Sequence, residues 1–519
     1  MQRESFRLAQ LYFKAGTSIA LLNYASIAIA TFGSVVAARL LGPEGYGLIA
    51  VSLFIPSIMV LLAGLSLEGV LSSSIASSDD NSLRRRLFSS ALLLVLISSF
   101  LLAIAQALAS SWLASLLGRE ELSRYLLVLA PYVVGVSLLS LSQAAFNGLE
   151  LFHISAFLTL ISTATRVLLS LVLILLGYGV FGFLLGQLLS YLLVGVLSVL
   201  LVYRTVSGLE PPKLSLLSNL LSRSFPLHIS SVISTAINST KTGFLYRTAL
   251  DFEIGNLVLA SRLTIPLNQV VNAFQTVTLV VSSQSENSQA LARFTSIVRY
   301  ASIPLTFLTG FLLLSVDLIV FLIFGQRFYT TSLYFYFVVA PLFLFPLGYQ
   351  LADSFLIAKG RTLELSRVSM IVATFSLFLT LGLTYIGGVF GFLTAQMISS
   401  VLTALLQGVI VWKRDFSTIF RENFRLVTPA LSGVIIGLAV KLILPGAIGT
   451  LLSLLLYLLV FALALPLVVE NSDLSGLKEV LEGFGPLGGL ASRALSVYIA
   501  LIEVLWRTQL EEQTRGQER

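Results

Sequence analysis

The chain has 519 residues, 56% of them hydrophobic and only 11% charged, with a formal net charge of +7 and no cysteine. A soluble globular chain is about a quarter charged, so this composition excludes one and points to an all-α polytopic membrane protein. The missing cysteine excludes disulfides, thiolate nucleophiles and cysteine-ligated metals, and in a membrane chain an excess of Lys and Arg reports topology rather than nucleic-acid binding.

Helices of about 20 apolar residues cross a bilayer, and the runs in this chain predict about fourteen transmembrane spans. In chain order they fall at 15–41, 46–73, 87–117, 125–147, 152–177, 180–203, 225–250, 254–282, 301–324, 332–357, 366–386, 389–412, 427–444 and 450–469. The short connections carry breakers: Gly42-Pro43, Gly118, Gly177 to Gly179, Gly325, Gly387-Gly388 and Pro445-Gly446. Period-2 alternation in strand-length blocks is absent, which argues against an outer-membrane barrel. The apolar stretch from Ala494 to Trp506 is too short to span and reads as an amphipathic helix at the cytoplasmic interface.

A duplication organises the spans. The hexapeptide GVFGFL occurs at Gly179–Leu184 and again at Gly388–Leu393, with Gln187 matching Gln396 and Ser190 matching Ser399. Ile55-Pro56 and Ile265-Pro266, and Ala130-Pro131 and Ala340-Pro341, repeat at nearly the same offset of about 210 residues. The copies open predicted spans 6 and 12. An even number of crossings separates them, so the two six-helix lobes are parallel repeats about an axis along the membrane normal. The expected domains are an N-terminal lobe over 1–210, a C-terminal lobe over 211–420, an added helix pair over 421–470 and a cytoplasmic tail over 471–519. With both termini inside, 23 of the 32 Lys and Arg lie on the cytoplasmic side, the bias that sets topology.

The remaining cations carry the functional reading. A charge at mid-span costs about 2.5–3.5 kcal/mol on insertion scales, so it faces a wet cavity or a partner. Arg166 falls near the middle of span 5, Lys241 in the outer half of span 7 and Arg262 within span 8. Arg39 and Arg247 sit near outer helix ends at matching repeat positions. These five residues predict a cationic cavity for an anionic headgroup such as phosphate or pyrophosphate. The bland alternative is ion pairing with Glu68, Asp317 or Asp353; Glu68 is also a candidate proton or cation coupling site. His153 and His228 have no metal-type neighbours, so no metal or cofactor is expected. Pro56 and Pro266 are repeat mates that could bend their spans during rocking.

The run ARLLGPEGYG, Ala38 to Gly47, closes the first span and opens the second. It resembles the signature of polysaccharide-biosynthesis flippases of the Wzx type, in the multidrug/oligosaccharidyl-lipid/polysaccharide exporter superfamily. LSLEGVLSSSIA (Leu65–Ala76), FNGLE (Phe146–Glu150) and AKGR (Ala358–Arg361) fit the same family, and the resemblance covers about residues 10–470. It implies fourteen helices, two six-helix lobes and alternating access that turns a polyprenyl- or dolichyl-linked oligosaccharide across the cytoplasmic membrane. Related lipid II flippases have cationic cavities lined by helices that include 1, 7 and 8, which here carry Arg39, Lys241 and Arg262. The implied partners are a lipid-linked anionic glycan, membrane lipids and glycan-assembly enzymes. An ion-coupled exporter of small amphiphiles, as in the multidrug branch, is the alternative. A membrane glycosyl enzyme comes third, because no loop between spans is long enough to hold a paired-carboxylate site.

Overall fold

The structure is a computed structural model that describes residues 2–284 and 287–469 with a few isolated positions beyond. The predicted interfacial segment 494–506 lies, apart from Ser496, outside the described residues. Among those residues every regular element is helical. The chain divides into two compact units: unit 1 holds Met1–Val258, Ile323–Phe328 and Thr384–Val389, and unit 2 holds Leu259–Leu322, Tyr329–Leu383 and Phe390–Arg519.

Unit 1 is built from α1 (Gln2–Gly64), α2 (Leu67–Ala76), α3 (Asn81–Leu108), α4 (Ser110–Leu116), α5 (Leu122–Val128), α6 (Tyr132–Gly148), α7 (Phe152–Leu173), α8 (Gly179–Thr205) and α9 (Leu214–Thr248). It also takes in the start of α10 (Asp251–Leu263). α1 is two helices joined at Gly42, whose φ of 70° and ψ of 176° interrupt it just before Pro43. Leu65 and Ser66, both at φ near 50°, turn the chain again before α2. Leu67, Leu71, Phe88, Leu139 and Phe146 fill the core between α2, α3 and α6. Glycines let helices approach closely, as where Gly135 and Gly186 lie against the backbones at Tyr191 and Ser170.

Unit 2 contains the rest of α10, then α11 (Ile265–Gln284), α12 (Asn287–Ile323), α13 (Tyr329–Val339), α14 (Leu351–Ala358), α15 (Thr362–Trp412), α16 (Phe416–Phe424), α17 (Thr428–Ile443) and α18 (Ala447–Ala464), apart from the short pieces assigned to unit 1. Tyr457 anchors its core with Leu314, Val434 and Phe461. The Tyr457 ring packs against Gly310 and Gly433, and its hydroxyl donates to the Phe307 carbonyl at 2.7 Å. Lys441 on α17 pairs with Asp317 on α12, and Tyr336 on α13 donates to the same carboxylate at 3.2 Å.

By length and composition, seven helical stretches among the described residues can cross a membrane, or eight if the bent pair Leu122–Val128 and Tyr132–Gly148 is one span. Three of them, Leu21–Ala76, Phe152–Thr205 and Thr362–Ile443, run for 56, 54 and 82 residues. A single crossing needs about 20. Breaks inside these stretches fall at the predicted Gly42, Gly177 to Gly179 and Gly388, and also at Leu65-Ser66 and Lys413, which take positive φ. Gly179 (φ 53°, ψ −133°) opens α8 and Gly388 (φ 55°, ψ −133°) interrupts α15, so the two GVFGFL copies begin with the same backbone conformation. That conformation is open to glycine and strained for other residues.

The basic run at the start of α3 has a structural task besides topology. Arg84 Nε donates to the Ser78 carbonyl at 2.7 Å and Arg85 Nε to the Val206 carbonyl at 2.6 Å. Arg86 pairs with Glu210 at 2.6 Å, and Ser82 donates to the same carboxylate. Together they pin the segment between α8 and α9 to α3. The Arg86 guanidinium holds the Glu210 carboxyl below its ordinary range.

Candidate functional site

Lys241 lies on α9 and is only 7% exposed, although it is a lysine inside a predicted span. The neighbouring turn of α9 packs on α1, where the Phe54 ring meets Tyr246 edge to face at 5.2 Å. Burial of an ammonium group demands compensation, which makes this the most constrained of the predicted cations.

Arg166 belongs to a different group of helices. It projects from α7 towards α8, with its guanidinium 5.7 Å from the Tyr191 ring centre and 3.4 Å from the Tyr191 hydroxyl. Tyr132 of α6 stacks edge to face on Tyr191 at 5.2 Å. The bland alternative of a carboxylate partner is not what Arg166 meets: it rests on an aromatic pair, which attracts a cation through the ring quadrupole. Its planar fork keeps donors for an anion.

Arg39 is exposed, and its Nε donates at 2.6 Å to the carbonyl of Ile323, the last residue of α12. A cation at a helix C-terminus satisfies a free carbonyl and the helix dipole together. Arg247 is exposed at the end of α9, beside Gly118. Arg262 is exposed near the end of α10, in unit 2. Glu68 is exposed in the first turn of α2, just beyond the bend at Leu65-Ser66, where the Ser66 hydroxyl lies 3.4 Å from His228 Nδ1.

A second arrangement in unit 1 joins two chain corners. One is the break at Gly42 with the following turn of α1; the other is the link from α9 to α10. A β-carbon on Gly47 would overlap the Asp251 carbonyl, and one on Gly255 would overlap the Pro43 carbonyl. Gly47 and Gly255 match in the repeat, so the contact is reciprocal. Arg119 clasps the second corner: its guanidinium pairs with Asp251 and donates to the carbonyls of Tyr246 (3.1 Å) and Ala249 (2.6 Å). Arg327 reaches the first corner, with its guanidinium beside Gly42. The backbone N–H of Leu250 donates to Glu253 three residues on, capping α10. The predicted spans leave Arg119 and Arg327 in the connections between them, and the sequence reading did not single out this clasp. A signal was present, because Gly118-Arg119 and Gly325-Gln326-Arg327 occupy matching places in the two copies.

Among the described residues, no group of three or more His, Cys, Asp or Glu could hold a metal ion.

The family model described as "Polysaccharide biosynthesis protein" matches residues 36–333. No curated protein matches the chain significantly. Among solved structures, a lipid II flippase in an inward closed conformation superposes with a TM-score of 0.69 at 16% identity, covering 86% of this chain and 97% of the flippase. An inward-facing multidrug resistance transporter of the same exporter superfamily gives 0.59 at 17% identity, over 76% and 96%. A superfamily transporter from Pyrococcus furiosus, whose binding pocket is described as reversed in polarity, gives 0.50 at 15% identity, over 78% and 96%. At these identities the likeness is one of fold.

Proposed function

The chain belongs to the polysaccharide biosynthesis protein family, and on that premise we propose that it is a flippase, not an enzyme. Its substrate is a polyprenyl- or dolichyl-(pyro)phosphate-linked oligosaccharide, moved across the cytoplasmic membrane by alternating access. The buried ammonium of Lys241 carries the reading. A lipid-linked glycan presents its phosphate at the head, and a desolvated cation inside a span is what such a group needs for charge-assisted binding. Arg262, Arg166, Arg39 and Arg247 are the further cations we assign to substrate binding. Glu68 is held as a coupling candidate.

In this reading about fourteen crossings form two lobes, 1–210 and 211–420, followed by the pair 421–470 and the tail 471–519. Both termini are cytoplasmic, and the glycan-assembly enzymes act on either side. The Gly47–Gly255 corner with its Arg119 clasp then lies on the outer side, as the closure that opens when the substrate leaves.

The test is flipping in proteoliposomes, with a fluorescent polyprenyl-diphosphate disaccharide followed by outer-leaflet quenching. Wild-type protein flips the probe, and Lys241→Ala with unchanged thermal stability flips it roughly 10–100-fold more slowly. Flipping at close to the wild-type rate in Lys241→Ala removes the site; no flipping by folded wild type removes the function. The second reading is an ion-coupled exporter of small amphiphiles, favoured by the fold shared with a multidrug transporter. Dye efflux without probe flipping would select it.

A further inference from the structure

α15 ends at Trp412 and α17 starts at Thr428, and the nine-residue helix α16 lies in the connection. Nine helical residues rise about 14 Å, less than half of a bilayer core of about 30 Å. α16 therefore does not cross; it stays at the membrane face where predicted spans 12 and 13 meet.

Its sequence sorts by side. Phe416, Phe420 and Phe424 follow one another along the helix, with ring centres 5.9 and 5.5 Å apart. The Phe416 ring lies against Gly408 of α15, and buried Asn423 donates to the Pro346 carbonyl at 3.2 Å. These contacts fix the rotation of α16 about its own axis. At about 100° per residue, Thr418, Arg421 and Arg425 fall on the side away from Phe416 and Asn423. Arg414, in the tight turn that leads in, continues the row, and all four are exposed. The acids of the segment, Asp415 and Glu422, lie along one edge of the row.

Other arginines of this chain are consumed by the fold. Arg84, Arg85 and Arg86 hold the segment after α8, Arg119 holds Asp251, and Arg361 holds Glu364. Among the described residues, Arg414, Arg421 and Arg425 enter no ion pair and no side-chain hydrogen bond. A second basic group adjoins the row: the Glu364 carboxylate, paired with Arg361, also lies in the field of Lys413 and Arg367.

Guanidinium groups at headgroup depth, on a helix with an apolar back, suit phosphodiesters. Each fork can donate two parallel hydrogen bonds to a phosphate, and an anionic leaflet attracts each charge. A soluble anion is held best in a concave cage, whereas α16 presents a convex ridge, which a layer of headgroups can meet along its length.

We propose that α16 is an in-plane anchor whose Arg414, Arg421 and Arg425 bind anionic phospholipid headgroups of the adjoining leaflet, fixing the depth of the α15–α17 connection. The site is separate from the cations assigned to substrate and stands whatever the chain carries.

The protein has no cysteine, so Thr418→Cys places a single fluorophore in the row of the full chain. In lipid nanodiscs, quenching by phosphatidylglycerol with a nitroxide near its headgroup is compared with quenching by phosphatidylcholine carrying the same nitroxide. The anionic lipid should be preferred about fivefold or more, the worth of one basic residue at such a surface. The preference should fall to near parity in the triple variant Arg414→Gln, Arg421→Gln, Arg425→Gln, and remain in Arg414→Lys, Arg421→Lys, Arg425→Lys. Because the three side chains are exposed, the Gln variant should unfold at the wild-type temperature in neutral lipid, which separates lost binding from lost fold. Equal quenching by the two lipids with the row intact overturns the proposal, as does a preference that persists in the Gln variant. A preference abolished by inorganic phosphate at constant ionic strength would mean a soluble-anion site and also overturns it.

Discussion

Matching positions of the two repeat copies agree at certain backbone turns and part company over charge. Gly179 and Gly388 share one unusual conformation, and Gly47 and Gly255 make the two sides of one reciprocal contact. Side chains differ: Lys241 stands where the first copy has Gly33, Arg262 where it has Ser52, and Asp353 where it has Gln143. Gln143 spends its amide on the Thr159 hydroxyl at 2.8 Å, a neutral contact within unit 1, while Asp353 brings a titratable group to unit 2. Turns leave little room for substitution, because a glycine at positive φ or against another backbone has no ready substitute. Side chains along the spans carry no such restriction, so one copy can gain a cation or a carboxylate where the other keeps a small or neutral residue.

That contrast can be broken hardest at its shared part. Gly255→Val places a β-carbon into the Pro43 carbonyl, at an expected cost of about 3 kcal/mol or more. Since the protein has no cysteine, a disulfide between Arg119→Cys and Asp251→Cys reports the same closure, and cross-linking should fall sharply when Gly255→Val is added. Next comes the unshared part. Lys241→Ala should lower the rate of probe flipping roughly 10–100-fold, the worth of a charge-assisted hydrogen bond; an effect below about threefold would assign Lys241 to structure alone.

The paired glycines sharpen the comparison. Gly179→Ala and Gly388→Ala meet open space, so each should cost only backbone strain, about 1–3 kcal/mol. Thermal unfolding should show nearly equal shifts, and a large inequality would mean that the two turns bear different loads. Smaller still is the Lys441–Asp317 pair, 15% and 43% exposed. Lys441→Met should cost about 1–2 kcal/mol, partly recovered by adding Asp317→Leu, as a double-mutant cycle would read. The least effect belongs to Glu210, held by Arg86 below its ordinary value of 4.5. Its stabilisation is present above that value and lost as pH falls through the lowered one. Glu210→Gln should therefore lower stability slightly at neutral pH and flatten the acid limb, so that the variant and the wild type converge below the lowered value.

Much of this was legible before any coordinates. Gly42-Pro43, Gly177 to Gly179 and Gly387-Gly388 announced breaks because only glycine tolerates those dihedrals, and the breaks fall there. A cation inside an apolar run is visible by contrast alone, which picked out Lys241 and Arg166. What surrounds such a residue is another matter. Arg39 reaches a carbonyl 284 positions away and Gln407 meets Asp353 across 54, contacts that no local pattern encodes. Arg166 read as a cavity cation, with ion pairing as the bland alternative, and its neighbour is the Tyr191 ring, because an aromatic face can replace a carboxylate without any change in periodicity.

The clamp made by Arg84, Arg85 and Arg86 bears on how the chain is made. Every residue in it, from Ser78 to Glu210, precedes the start of α9. A ribosome releases the N-terminal part of a chain first, and domains generally fold as units in that order. The clamp can therefore close while α9 and all that follows are still unmade, fastening the end of the first half to α3 and fixing where the next helix must begin.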